Sequence, residues 1–229
     1  GRCFNVQLNP DRVGTGAEWR GSIRSIGAHD LAAATGKLTL GIGDALIVVD
    51  VQNDFLPGGR LAVPEGDAVV PMLSRYLAAF AAKRLPIYAT RDWHPLDHCS
   101  FKARGGPWPP HCVAGSTGAA FAPGLKLPSQ TTVISKATTA DKDAYSGFEG
   151  TDLDARLRAQ SIKRVFVGGL ATDYCVLNTV KDARQFSYEV LLLADAIRAV
   201  NVKPDDGRNA EAKMQRLGAQ SLGLDKLTA

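Results

Sequence analysis

From residue 44 onward the chain alternates between short, continuous apolar runs and stretches with helical spacing. Ala45-Leu46-Ile47-Val48-Val49 is uninterrupted and rich in β-branched residues, the pattern of a strand buried on both faces. Residues 67–83 follow with Val69, Val70, Leu73, Leu77 and Phe80 at helical intervals, and Pro86 marks the stop. The same reading predicts strands at 86–90, 131–135, 164–169 and 189–194. It predicts helices at 153–160 (capped by Thr151 or Asp152), at 173–186 and through 210–217. Residues 93–130, rich in Pro and Gly, read as irregular. Strands separated by helices imply βαβ units. The expected fold is therefore α/β, a three-layer αβα sandwich around a mostly parallel central sheet.

Residues 1–42 break this rhythm. They hold many Gly, Ser, Thr, Asn and Arg residues without a sustained period, and read as a partly flexible extension with one short helix near residues 30–34. The remaining 43–229 form the expected catalytic domain. With 229 residues, 45% hydrophobic and 22% charged, the chain can bury a full core without disulfide staples. No apolar run reaches the ~20 residues of a membrane helix, and the first thirty residues lack a basic-then-apolar signal. A net charge of +4 is mild, and Lys and Arg are scattered, which argues against nucleic acid as a partner. Cys3, Cys99, Cys112 and Cys175 are widely spaced with no C-x-x-C pair, so a reduced, cytoplasmic setting is expected. Cys3 and His29 lie in the extension and read as incidental.

Composition leaves the chemistry open; the strand ends narrow it. In open α/β sheets, ligands bind beyond the carboxyl ends of the strands. Asp50 ends the first predicted strand, Asp92 and His94 follow the second, Lys136 ends the third, Cys175 lies just past the fourth and Asp195 ends the fifth. Any one of these can be a helix cap or a loop start, and Asp195 is read that way. Cys175 is more telling. In Gly168-Gly169-Leu170-Ala171-Thr172-Asp173-Tyr174-Cys175, Thr172 reads as an N-cap, which places Cys175 in the first helical turn. There the dipole and a nearby Lys136 are expected to favour thiolate, with Asp50 able to take and return the proton. A cysteine in such a turn is also often just a small buried hydrophobe. Cys99 and Cys112 have no matching base and read as structural.

Three of the four histidines crowd into residues 94–111, after Asp92: His94, His98 and His111. Asp-x-His with a third His nearby can surround one divalent metal, and Zn2+, Fe2+ or Mn2+ would all accept this donor set. Ordinary loop histidines beside a surface carboxylate remain the alternative.

In combination, five motifs resemble a known family. They are Ile47-Val48-Val49-Asp50-Val51-Gln52-Asn53-Asp54-Phe55, Arg91-Asp92-Trp93-His94, Trp108-Pro109-Pro110-His111-Cys112, Tyr145-Ser146-Gly147-Phe148, and Gly169-Leu170-Ala171-Thr172-Asp173-Tyr174-Cys175. From about residue 44 to the C-terminus the chain resembles nicotinamidases (pyrazinamidases) of the isochorismatase-like cysteine hydrolase superfamily. The resemblance implies a catalytic triad of Asp50, Lys136 and Cys175, and one divalent metal, Zn2+ first, held by Asp92, His94 and His111. His98 matches a position that is only sometimes a further ligand. Phe55 and Trp108 correspond to aromatic walls around a pyridine ring, Tyr145 to a lid-side pocket residue, and the Ala171 and Cys175 amides to an oxyanion hole. A cis peptide is implied at Leu170-Ala171. The stretch between Lys136 and Tyr145 is slightly longer than in some relatives.

That resemblance implies hydrolysis of nicotinamide to nicotinate and ammonia, with pyrazinamide as a further substrate, in a homo-oligomer with neither membrane nor nucleic-acid partner. The metal would anchor the ring and Cys175 would attack the carboxamide. The nearest rival is an amidase of the superfamily acting on carbamoyl, ureido or maleamate substrates, which needs no Asp-x-His…His site. An isochorismate vinyl-ether hydrolase would need no Cys175. A catalytically silent scaffold, or a thiol-redox protein, is argued against by the complete triad and by the lack of a resolving cysteine near Cys175.

Overall fold

The computed structural model describes residues 37–228. Eight strands and four α-helices follow one another along the described chain: β1 (Leu38–Thr39), β2 (Asp44–Val49), α1 (Val69–Ala82), β3 (Ile87–Asp92), β4 (Thr132–Lys136), α2 (Leu153–Ala159), β5 (Arg164–Leu170), α3 (Leu177–Gln185), β6 (Glu189–Arg198), α4 (Asp206–Arg216), β7 (Gln220–Leu222) and β8 (Leu227–Thr228). Six of the strands form one sheet in the order β4-β3-β2-β5-β6-β7, with every neighbouring pair parallel. The expected α/β architecture is present, with helices on both faces.

Alternation within β2 explains the two cores. Leu46 and Val48 point to a layer built on Leu73, Tyr76, Leu77 and Phe80 of α1. Ala45, Ile47 and Val49 point to the other layer, with Leu153 and Leu157 of α2, Val180 and Ala183 of α3, and Met214 of α4. Both faces of β2 are fully buried, as the unbroken apolar run requires.

From β2 the chain winds outward through β3 to β4, then returns to β5 on the opposite side of β2 and winds out to β7. The strand order therefore reverses beside β2. Such a switch point opens a crevice at the carboxyl ends of the strands.

Several boundaries differ from the sequence pattern. β6 runs past Asp195 to Arg198, because Asp195 accepts hydrogen bonds from Tyr76 Oη (2.9 Å) and the Leu224 N–H (2.8 Å) instead of ending the strand. β7 is a three-residue edge strand with only Leu222 buried, too short to show a period. Leu38–Thr39 pairs in parallel with Leu227–Thr228, and Leu40 is buried in the α1-side core, so the fold begins before residue 43. The predicted helix near 30–34, together with Cys3 and His29, lies outside the described residues. α2 starts at Leu153, whose N–H donates to Thr151 Oγ1 (3.3 Å). Thr172 caps nothing: residues 172–176 form a π-helical turn, and α3 begins only at Leu177. No helix of the described residues is long and apolar enough to cross a membrane.

Candidate active site

Sheet register brings the first polar residues together. Asp92 and Lys136, the last residues of β3 and β4, are direct partners across neighbouring parallel strands. One strand over, Asp50 follows β2 in a left-handed conformation (φ 48°), with its N–H bonded to the Thr90 carbonyl (3.2 Å) and Oδ1 accepting from Thr90 Oγ1 (2.7 Å). Cys175 arrives from β5. Gly169, at φ 129°, lies so close to β2 that a Cβ there would meet the Val49 carbonyl oxygen at 2.1 Å. Only glycine permits that approach, which brings the turn after β5 against the end of β2. The next peptide, Leu170-Ala171, is cis.

The result is a wholly buried charge cluster. Lys136 Nζ lies 3.0 Å from Asp50 Oδ2 and 3.6 Å from Cys175 Sγ, and donates to Asp92 Oδ1 and to the Ala144 carbonyl (3.1 Å). A carboxylate oxygen from each of Asp50 and Asp92 lies within 4.8 Å of the sulfur. Asp50 Oδ2, although ion-paired, makes no hydrogen bond, so it keeps a lone pair for a proton.

Burial and charge act differently on each member. Burial raises the pKa of Asp50 against the pull of Lys136. Burial also opposes ionisation of Asp92, but Lys136 holds its carboxyl below the usual range. Burial favours neutral Lys136, yet Asp50 and Asp92 keep its ammonium well above the ordinary lysine value. For Cys175, burial pushes the thiol well up; Lys136 pulls it down, and Asp50 and Asp92 push it up again. The expected depressed thiol is therefore corrected. Cys175 sits in a π-turn rather than at an α-helical N-terminus, and two carboxylates share the cation meant for it.

A second cluster adjoins the first. Donor atoms of Asp92, His94 and His111 lie within 4.8 Å of one another, all three residues being buried. His94 Nδ1 faces the Ala137 carbonyl at 3.3 Å and His111 Nδ1 faces the Pro109 carbonyl at 2.8 Å. A carbonyl can only accept, so both rings carry a proton on Nδ1, and the neutral tautomer of each presents a lone pair on Nε2. His94 Nε2 has no hydrogen-bond partner and lies 3.6 Å from Asp92 Oδ2. Two imidazole lone pairs converging with a carboxylate, one of them orphaned and buried, suit a divalent cation. Burial pushes His111 down, which keeps it neutral and able to bind.

His98 is not brought into this set. Its Nε2 faces the Lys142 carbonyl (3.1 Å), so Nδ1 accepts from Ser100 Oγ (2.7 Å) and from the Ser100 N–H (3.3 Å). Both nitrogens are used, and the ring lies against His94 with centroids 4.2 Å apart and planes tilted by 31°.

A model of the isochorismatase domain matches residues 44–223. The chain belongs to the isochorismatase family. It is 39% identical over 196 residues to a nicotinamidase of Escherichia coli (strain K12), covering 76% of this chain and 92% of that one. It is 43% identical over 169 residues to a nicotinamidase/pyrazinamidase of Mycobacterium tuberculosis, covering 69% and 87%. Among solved structures, the pyrazinamidase of Pyrococcus horikoshii in complex with zinc matches with a TM-score of 0.77 and 49% identity, covering 80% of this chain and 99% of that one.

In this isochorismatase-family enzyme the two clusters meet at one open cleft, lined in part by Asp92, His111, Ala171 and Cys175. Phe55, Trp108 and Tyr145 line it as well. Trp108 Nε1 donates to Tyr145 Oη (3.0 Å), and Tyr174 meets the Trp108 ring edge-on at 5.3 Å. Sequence reasoning assigned no role to Leu61, Val63, Tyr174 or Val200, which complete the lining. The aliphatic three come from loops whose return to the cleft is set by tertiary packing. Tyr174, next to Cys175, was the one within reach. Gln52 was also missed: buried, it donates to the Asp92 and Ala119 carbonyls (2.8 and 2.9 Å) and accepts from the Asp92 N–H (2.8 Å), fixing the end of β3.

Proposed function

We propose that the chain hydrolyses nicotinamide to nicotinate and ammonia, and pyrazinamide by the same route, with Asp50, Lys136 and Cys175 as catalytic residues. The carrying observation is the placement of Lys136 Nζ, 3.0 Å from Asp50 and 3.6 Å from Cys175, beside the Asp92, His94 and His111 donors. The names of the E. coli and M. tuberculosis relatives support the substrate, and the zinc complex of the P. horikoshii relative supports Zn2+ over Fe2+ or Mn2+.

Asp92, His94 and His111 would hold the cation, with His98 left outside the set. When bound, the cation supplies a Lewis-acidic anchor for the ring nitrogen. Phe55 and Trp108 flank the aromatic ring, Tyr145 closes the lid side, and the carboxamide carbon faces Cys175.

The resting thiol is protonated, because burial and two carboxylates disfavour thiolate. As sulfur attacks the carbonyl carbon, its proton passes to Asp50, whose unbonded Oδ2 and raised pKa suit an acceptor. Lys136 stays an ammonium and offsets the charge that develops on sulfur. The Ala171 and Cys175 N–H groups receive the oxyanion. Asp50 then returns its proton to the departing nitrogen, the C–N bond breaks, and ammonia leaves a thioester on Cys175. Water, deprotonated by Asp50, attacks that thioester; nicotinate forms and the sulfur regains its proton.

The test is ammonia release from nicotinamide, pyrazinamide and non-aromatic carbamoyl amides, each with and without chelator. Turnover of the two aromatic amides with a KM that rises on chelation is expected. Preference for the non-aromatic amides, unaffected by chelator, would instead favour a carbamoyl or ureido amidase.

A further inference from the structure

Asp54 is a buried carboxylate with no part in the chemistry above. Its side-chain hydrogen bonds run to main-chain donors: Oδ2 accepts from the Cys112 N–H at 2.7 Å and Oδ1 from the Arg60 N–H at 3.2 Å. Its own N–H donates to the Gly118 carbonyl (3.0 Å), and its carbonyl accepts from Leu61 (2.9 Å). One residue thus ties the turn that follows β2 to the loop carrying His111 and to the cleft wall.

The Cys112 backbone makes this connection informative. Cys112 occupies the left-handed region (φ 45°), which a non-glycine residue keeps only where its surroundings hold it. A charge-assisted bond from a buried carboxylate to its N–H is such a hold. That N–H belongs to the peptide joining His111 to Cys112, while the Cys112 carbonyl accepts from the His94 N–H at 3.0 Å. Cys112 is therefore the joint between the two histidines that offer Nε2 lone pairs, and Asp54 sets it. Packing enforces the contact. A Cβ added at Gly118 would fall 2.1 Å from Asp54 Oδ2, so the 118 backbone is pressed against the carboxylate.

We propose that Asp54 is a positioning residue for His94 and His111, acting through the Cys112 backbone to aim both rings at one cation. The inference rests on the reading of Asp92, His94 and His111 as metal ligands. Asp54 neither lines the cleft nor belongs to the Asp92, His94 and His111 cluster. It fixes the backbone from which both ligands project, as groups outside the ligand set tune affinity elsewhere.

The experiment is titration of the metal-free full chain with Zn2+ by calorimetry, and with Co2+ by visible absorption. It compares wild type, Asp54→Asn, Gly118→Ala and each change in a His111→Ala background, with thermal melts of every variant. Asp54→Asn removes the charge from the Cys112 bond, and Gly118→Ala displaces the carboxylate without removing it. Both are expected to weaken metal binding by about 10–100-fold and to alter the Co2+ spectrum. In the His111→Ala background, titrated at metal concentrations high enough to load the weakened site, the further loss should be smaller, because only the His94 ring is left for Asp54 to aim. Wild-type affinity and spectrum in both folded variants, or an undiminished loss without His111, would overturn the positioning role and leave the metal site standing. A wild-type chain that binds neither ion would overturn the metal assignment and this proposal with it.

Discussion

The Lys136 ammonium lies 3.6 Å from the Cys175 sulfur, yet the thiol is held well above its usual pKa rather than below it. Burial outweighs the cation, and Asp50 and Asp92 share the same ammonium. On the proposed mechanism, the Cys175 thiol stays protonated until a substrate carbonyl is in place. In that mechanism Asp50, rather than a standing thiolate, carries the proton traffic.

An acid limb in the rate follows from this. Asp50 must be ionised to accept the thiol proton, and burial raises its pKa, so kcat/KM should fall with decreasing pH at a midpoint above the ordinary carboxylate value of about 3.9. The Thr90 hydroxyl, bonded to Oδ1 at 2.7 Å, favours the ionised form. Its removal in Thr90→Val raises the Asp50 pKa further and should move the limb to higher pH. An unmoved limb, or one displaced to lower pH, would take Asp50 out of this role.

Lys136 is also a structural group, the cation between two buried carboxylates. Lys136→Met leaves two buried carboxylates without their cation, and loss of one partner from such a cluster costs about 3–5 kcal/mol. Urea denaturation at neutral pH should show a destabilisation of that order. A variant as stable as wild type would mean that the carboxylates find other compensation.

His98 provides a test of the ligand set. Its two nitrogens already bond Ser100 and the Lys142 carbonyl, so His98→Gln should retain one metal per chain. The exchange should cost stability of about 1–3 kcal/mol where a buried acceptor loses its donor. His94→Ala, by contrast, removes the orphaned Nε2 and should lose the metal on dialysis. Elemental analysis distinguishes the two. Metal loss in His98→Gln equal to that in His94→Ala would return His98 to the ligand set.

Much of the fold could be read from β-branched runs, because strands buried on both faces have no alternation to obscure them. β6 read short because Asp195 looked like a terminus; its partners Tyr76 and Leu224 lie 119 and 29 residues away. β7 was invisible, since Gln220 and Ser221 are exposed on a sheet edge. In the candidate site, Asp50, Asp92, Lys136 and Cys175 stood out because strand ends in a parallel sheet share one edge. The Cys175 pKa did not, because its direction is set first by burial, and then by two carboxylates beside the ammonium. Gln52 and Asp54 act on backbone groups 40 and 58 residues onward, and sequence spacing carries no trace of that.

The most direct test of a ring-anchoring metal serving a cysteine nucleophile is ammonia release by Cys175→Ala, measured beside its affinity for nicotinamide. The geometry predicts no detectable turnover with ring binding retained in the metal-loaded variant. Ammonia release near the wild-type rate from Cys175→Ala would contradict it, because the chemistry would then not pass through that sulfur.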